Sequence, residues 1–246
     1  GLYRWYGWDG AHDSLWAQSV RPMLDPREMR STPARVASTL RQHFAADYAK
    51  AFGRAVPVDD EEAMIDAGKA LAAYQETLVS GRTPFDDFRD ALEKSDADGM
   101  RRYPLAARRG LAIFVGKGNC STCHFGPHFS NGEFAAAGIQ GGVDAGRLEG
   151  IKKLKSDPYN LLGRFNDDAT RGNAVGTKQV ELQRRNLGEF RVPGLRNVAL
   201  TAPYMHNGSI ATLREAVQHY PLNLTPRESA DLVVFLQSLT DASQLR

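Results

Sequence analysis

Cys120-Ser121-Thr122-Cys123-His124 is the stretch whose reading decides the fold. Two thiols separated by two residues can each add to a vinyl group of one haem, and the histidine that follows at once can place its imidazole beneath the iron. The spacing needs one short turn, because only then do both thioether bonds and the axial nitrogen meet a single porphyrin. Zinc fits less well: a structural site takes four ligands, a second cysteine pair is absent, and His128 and His206 stand at no standard spacing. A thioredoxin-type dithiol expects a βαβ setting, whereas the flanking pattern here is helical. The motif therefore reads as a covalent c-type haem attachment site, which implies maturation outside the cytoplasm.

Working outward, helical patterns dominate and strand patterns are scarce. Upstream, Leu105 to Val115 reads as a helix running toward the cysteines, preceded by a short helix from Phe85 to Leu92. Asp59-Asp60-Glu61-Glu62 opens a longer helix with acids at its positive end. Its apolar stripe is Met64, Ala67, Leu71, Tyr74 and Leu78, and Gly81 is expected to end it. Helix formers recur from Pro33 to about Gly53. Asp13 is expected to cap a short helix through Val20, stopped by Pro22 and Pro26. His12 reads as a surface or helix-capping residue. Downstream, residues 116 to 194 are rich in Gly, Asn, Asp and Pro, and read as loops with short helical pieces, a length of irregular chain that is usually functional or wrapped around something. Thr212-x-x-Glu215 and Thr225-x-x-Glu228 are capping boxes, the second with Pro226 at the first helical position. Leu232, Phe235, Leu236 and Leu239 are the expected buried face of the last helix. The fold class is mostly α, loop-rich around the haem.

The chain has 246 residues, enough for one large or two small domains. Apolar residues make up 42% and charged residues 24% of it. That composition excludes a disordered chain. Lys+Arg 31 against Asp+Glu 29 gives +2, so no electrostatic pull toward nucleic acid or anionic membrane is written here. No window approaches eighteen uninterrupted apolar residues, so no membrane-spanning helix is expected. Gly1-Leu2-Tyr3-Arg4-Trp5 is neither a start methionine nor a signal peptide, and a processed or truncated start is expected. The two cysteines are too few and too close for a disulfide framework.

A single haem histidine leaves the sixth iron position open. Thr201-Ala-Pro-Tyr204-Met205-His206-Asn207-Gly208 offers three ligands in succession. Met205 would raise the potential and favour electron transfer; Tyr204 would favour ferric and higher states. Spacing alone does not choose among the three.

Gly110-Leu-Ala-Ile-Phe-Val-Gly-Lys-Gly-Asn-Cys120-Ser-Thr-Cys123-His124-Phe-Gly-Pro and Phe190-Arg-Val-Pro-Gly-Leu-Arg196-Asn197-Val-Ala-Leu-Thr-Ala-Pro-Tyr204-Met-His-Asn-Gly208 resemble the bacterial di-haem cytochrome c peroxidase family, which includes the MauG-like enzymes. Arg4-Trp-Tyr-Gly-Trp8-Asp-Gly10 and Gln18-Ser-Val-Arg-Pro22-Met-Leu-Asp-Pro-Arg-Glu28-Met29 match that family's N-terminal haem domain. The resemblance implies two cytochrome c-like haem domains: residues 1–100, whose own CxxCH motif lies outside this chain, and the C-terminal c-type haem domain of residues 101–246. A mono-haem variant is the alternative. Unseen loop residues are expected at Tyr220-Pro221 and at Gly141-Gly142-Val143.

By the same resemblance, two haem c groups are expected in the full protein, and a Ca2+ ion is often held in the family. His124 corresponds to the proximal ligand of the C-terminal haem, Cys120 and Cys123 to its thioether anchors, Arg196 to a cofactor-binding position, and Tyr204 to the distal ligand of MauG-like enzymes, with Met205 as the alternative. Trp8 corresponds to the tryptophan between the two haems. Gln18, Pro22 and Glu28 correspond to the peroxide-binding side of the N-terminal haem, with Glu28 placed to move a proton between peroxide oxygens. Asn207 stands where the family usually has aspartate, which puts any role of that carboxylate in question. The function implied is a periplasmic di-haem oxidoreductase that uses hydrogen peroxide to form high-valent haem iron and oxidises a partner protein, modifying tryptophan by long-range electron transfer. A cytochrome c peroxidase fed by a small cytochrome or cupredoxin is the alternative, and a non-catalytic electron-transfer cytochrome the third reading.

Overall fold

The computed structural model describes residues 3–139 and 144–241. Eleven α-helices are present among them, besides short 3-10 turns: α1 (Leu15–Leu24), α2 (Pro33–His43), α3 (Ala45–Phe52), α4 (Asp60–Thr77), α5 (Pro84–Glu93), α6 (Ala97–Arg102), α7 (Leu105–Val115), α8 (Arg147–Ser156), α9 (Val175–Gln179), α10 (Leu213–His219) and α11 (Pro226–Gln237). Two two-residue strands, β1 (Phe134–Ala135) and β2 (Phe190–Arg191), pair antiparallel, Phe134 opposite Arg191. The mostly α expectation holds. Internal contacts divide the chain into two compact units, Gly1–Leu78 with Asp144–Glu189, and Val79–Val143 with Phe190–Arg246.

In the first unit, α1 and α4 pack through Val20, Met23, Met64 and Ile65. Gly68 makes this approach close: a Cβ there would stand 2.7 Å from Val20 Cγ2 and 3.1 Å from the Trp16 carbonyl. Several expectations are corrected here. Ser14, not Asp13, caps α1: Ser14 has the extended backbone and its side chain accepts from Ala17 N–H, as a cap should. Asp13 is buried instead and accepts from Leu161 N–H at 2.9 Å and the Thr177 hydroxyl at 2.6 Å. His12 is buried as well, its Nδ1 3.3 Å from Asp157 Oδ2, and is neither surface nor cap. Pro22 does not stop α1; the helix runs through it to Leu24. Proline lacks its own N–H, and the carbonyls near the helix end find other donors, Met29 N–H on Pro22 and Ser31 N–H on Met23. The helix expected over 33–53 breaks at Phe44 into α2 and α3. The stripe of α4 is buried at Met64, but Leu71, Tyr74 and Leu78 are exposed, and the helix ends at Thr77, before Gly81. With ten residues against the eighteen of α4, α1 covers only part of its partner's length.

The second unit is built on the crossing of α7 and α11. Gly110 lies against the Asp231 carbonyl, and its missing Cβ would be 2.7 Å from Phe235 Cβ. Arg109 forks onto Asp231 at 2.6 and 2.8 Å beside this contact. The expected face of α11 is buried at Leu232, Phe235 and Leu236, while Leu239, also buried, lies past the helix end at Gln237. Both expected capping boxes form, at Thr212/Glu215 and Thr225/Glu228. Phe85 and Phe88 of α5 pack into clusters of this unit, so residues 79–100 group with the second unit, and 144–189 with the first. At Tyr220-Pro221 the chain turns tightly after α10, Leu222 N–H reaching the Tyr220 carbonyl at 2.7 Å. Gly141-Gly142-Val143 lies outside the described residues. No described helix is long and apolar enough to cross a membrane.

Candidate functional site

The cysteine motif folds as one tight helical turn. Asn119 takes a left-handed backbone, φ 49°, which asparagine tolerates better than most residues, and turns the chain out of α7. Cys123 N–H and His124 N–H then both reach the Cys120 carbonyl, at 3.2 and 2.9 Å. Residues i, i+3 and i+4 of a turn share a face, so Cys120, Cys123 and His124 are gathered on one side. Both cysteines are free thiols. Burial pushes the Cys120 thiol up.

His124 is half-buried, and burial holds its pKa below the ordinary imidazole value, opposed by the Phe129 and Pro193 carbonyls. Its Nδ1 lies 3.0 Å from the Phe129 carbonyl. A carbonyl can only accept, so the tautomer that fits this contact has its proton on Nδ1, which leaves the Nε2 lone pair for a metal. The Phe129 carbonyl is aimed by a strained residue, with φ at 53°. Such a backbone is unusual for a bulky side chain and costs on the order of 1–3 kcal/mol. The ring offsets this cost by packing edge-on against Phe85, Phe114 and Phe235 at 5.3, 6.2 and 6.4 Å between centroids.

The same apolar cluster holds Cys120 and Tyr204 as partly buried members. Tyr204 pairs with Ile210 as an isolated bridge, its N–H on the Ile210 carbonyl at 2.7 Å, and its hydroxyl donates to the Val198 carbonyl at 3.0 Å. Burial raises its pKa. Met205 follows in a left-handed conformation, φ 69°, and His206 stacks on Phe190 at 3.5 Å. A cavity of about 310 Å³ lined by Gly138, Ile139, Ser209, Ile210 and His219 opens at this bridge. The donor set suits a c-type haem: two thiols and an imidazole on one turn, with an apolar cluster and the Tyr204 ring packed against the same core.

Arg196 is the expected cofactor-binding residue, and its donors are taken up by protein. The guanidinium forks onto Asp86, both bonds 2.9 Å, and Nε donates to the Pro127 carbonyl at 2.6 Å. The fork holds the Asp86 carboxyl well below the usual range. Asp86, Phe129 and Tyr220 are residues that sequence reading missed. Tyr220 lies near enough to both cysteines for their charge to add to burial in raising its pKa.

The first unit gathers the other expected residues. Gln18 and Pro22 are four apart on α1, and Glu28 sits in the exposed turn that follows, tied back by Glu28 N–H on Asp25 and Met29 N–H on Pro22, at 3.0 and 3.1 Å. The carboxylate of Asp25 organises this turn through Arg27 and Arg21, and the Arg27 bonds hold its pKa far below the ordinary value. Gln18 Oε1 is buried with no hydrogen-bond partner. Trp8, 44% exposed, stands in a loop closed by the Tyr6–His12 bridge. The buried Arg147 donates to the Gly10 carbonyl at 2.7 Å and stacks on Trp5 at 4.4 Å. A larger cavity, about 470 Å³, lies among Arg54, Asp66 and Arg164 and contains none of these residues.

A sequence profile described as di-haem cytochrome c peroxidase matches residues 1–94. The methylamine utilization protein MauG of Methylorubrum extorquens is 30% identical over 95% of this chain and 60% of its own length. The cytochrome-c peroxidase IdrP1 of Denitromonas iodatirespirans is 32% identical over 95% and 64%, and the cytochrome c551 peroxidase of Pseudomonas aeruginosa 31% over 95% and 60%. The chain thus spans less than two thirds of the length of these relatives. The diheme peroxidase BthA of Burkholderia thailandensis shares the fold, with a TM-score of 0.74 at 23% identity over 97% of this chain and 66% of that one. Profile, relatives and fold agree with the motif order along the sequence: the chain belongs to the di-haem cytochrome c peroxidase and MauG-like family.

Proposed function

We propose that this chain works in the periplasm as a di-haem oxidoreductase that takes hydrogen peroxide and, in MauG-like fashion, oxidises tryptophan in a partner protein by long-range electron transfer. A haem c would be attached at Cys120 and Cys123, within the domain of residues 101–246, with His124 Nε2 as proximal and Tyr204 as distal ligand. The second haem c would belong with the domain of residues 1–100, which carries no attachment motif of its own in this sequence. No Ca2+ ligand set is assigned: among the described residues no group of three or more His, Cys, Asp or Glu is arranged to hold a metal ion. Bound haem supplies the reaction with peroxide and stores the oxidising equivalents.

The chain's own groups prepare that chemistry. Gln18 Oε1, buried and unpartnered, is an acceptor for the peroxide proton. Glu28, in the turn next to Pro22, moves a proton from one peroxide oxygen to the other. Pro22 brings no N–H of its own to that side. Trp8, in the loop that Arg147 fastens at Gly10, would relay electrons between the two haems.

The MauG-like reading is carried by Tyr204, whose ring joins the cluster containing Cys120 while its backbone is fixed by the Ile210 bridge. An anionic oxygen ligand stabilises oxidised iron, where methionine would raise the potential. The alternative, a cytochrome c peroxidase with Met205 as ligand, draws on the peroxidases among the relatives. Full-length protein treated with peroxide should show a long-lived oxidised spectrum that Tyr204→Phe abolishes, together with a changed low-spin spectrum. Rapid turnover with a reduced small cytochrome and no such state would reverse the choice, and an unchanged spectrum in Tyr204→Phe would move the ligand to Met205.

A further inference from the structure

We infer that Arg196 and Asp86 are positioning residues for the iron-binding imidazole: they hold the Phe129 carbonyl that takes the His124 Nδ1 proton, and so set the donor strength of Nε2. The inference rests on the haem reading of Cys120, Cys123 and His124.

The donors of Arg196 are directed at protein. Nη1 and Nη2 each meet a different oxygen of Asp86, and Nε meets the Pro127 carbonyl. The guanidinium carbon also lies 5.9 Å from the Phe129 ring centroid. The neighbouring Leu195 N–H donates to the His128 carbonyl at 3.1 Å, so the 195–196 backbone and side chain together fasten residues 127–129. Asp86 is itself fixed: it is buried, and Thr83 donates to it through N–H at 3.0 Å and through its hydroxyl at 2.9 Å, at the start of α5. Phe85, one residue earlier, meets the Phe129 ring edge-on. Two consecutive residues of α5 thus reach the same loop, one through Arg196 and one through a ring.

Phe129 needs this restraint. Its left-handed backbone relaxes wherever the surroundings allow, and relaxation turns the carbonyl away from Nδ1. A hydrogen bond accepted from a ligand histidine's second nitrogen makes the metal-bound nitrogen a stronger donor and is a standard lever on metal properties. A stronger donor favours ferric iron and lowers the reduction potential. Weakening the Arg196–Asp86 pair should therefore raise the potential of this haem.

The test uses full-length holoprotein carrying Arg196→Gln, Asp86→Asn, both together, or the conservative Arg196→Lys. Spectroelectrochemistry reads the potential of the Cys120–Cys123 haem, electron paramagnetic resonance its low-spin signal, and a thermal melt the stability. Each single variant should raise the potential and alter the signal, Arg196→Lys by less. The double variant should move no further than the larger single one, because both act through one contact. Phe88→Ala, which weakens a neighbouring cluster that shares Phe85 and Leu111 with that of Phe129, should lower the melting temperature and move the potential less than either single variant. An unchanged potential in the single variants, additive shifts in the double, or an equal shift in Phe88→Ala would each overturn the inference. If Arg196→Gln fails to take up haem, a wild-type potential in Arg196→Lys does the same. Wild-type protein without haem at these cysteines would defeat the haem reading instead.

Discussion

Gly110→Ala tests the packing that positions the cysteine turn. The new Cβ would stand 2.7 Å from Phe235 Cβ, against an ordinary contact of 3.4–4 Å, and nearer still to the Asp231 carbonyl. Neither obstacle can rotate away, since one is backbone and the other is the root of a fully buried side chain. The helices must part by roughly 1 Å, and a gap of about 0.5–1 Å already forfeits about a quarter to a half of each contact's attraction. Overpacking of this kind costs about 1–3 kcal/mol, with the upper end expected against backbone. Alanine returns about 1 kcal/mol in helix propensity, so the net loss is about 2 kcal/mol. For a chain of this size that lowers the melting temperature by roughly 4–8 °C. The damage should reach the site, because α7 leads directly into the turn through Gly118 N–H on the Ile113 carbonyl, at 2.8 Å. Far-ultraviolet circular dichroism of wild-type and variant holoprotein reads the melt, and Soret absorbance per chain reads haem uptake. A melting temperature equal to or above wild type would refute the account of how α7 meets α11.

Other outcomes follow from named groups. Phe235 has no exposed surface. Its replacement by alanine should cost about 3–5 kcal/mol by urea denaturation, and a loss under about 1 kcal/mol would show that the cluster closes over the cavity. The Asp86 and Asp231 carboxyls are held below their unfolded values by Arg196 and Arg109. Their contribution is complete above an unfolded pKa of about 3.9 and is lost as pH falls toward the folded values. Urea midpoints should therefore fall steeply below about pH 4, and less steeply in Asp86→Asn; equal slopes would contradict the pairing. Glu28→Gln should slow the peroxide reaction by about 10²–10⁴-fold in stopped-flow measurements, the usual size of an acid–base contribution, and unchanged kinetics would remove Glu28 from the proton path.

What could be read from the sequence was local. The Cys120–His124 turn, the capping boxes at Thr212 and Thr225, and the face of α11 each depend on residues within a few turns of one another, so their spacing alone carries the information. Where the reading failed, a distant partner had decided between neighbours. Asp13 and Ser14 are both good caps, and the choice fell to Ser14 because Leu161 and Thr177 claim the Asp13 carboxylate. Leu71 and Tyr74 continue an apolar stripe in register but are exposed; nothing in a helical period states how much of α4 its neighbours in the first unit cover. Phe44 is compatible with a helix by composition and still ends one.

Arg196 shows why such ties stay hidden. Its partner Asp86 is 110 residues away, and Asp86 already looks complete in its own surroundings, as the third helical residue of a capping box with Thr83. One oxygen, Oδ2, accepts from Thr83 and from Arg196 Nη1, while Oδ1 takes Nη2. A carboxylate has about four lone-pair positions, and a helix cap uses only part of them. The local pattern is therefore satisfied whether or not the arginine arrives, and only the fold shows that the remaining capacity reaches the loop beneath His124.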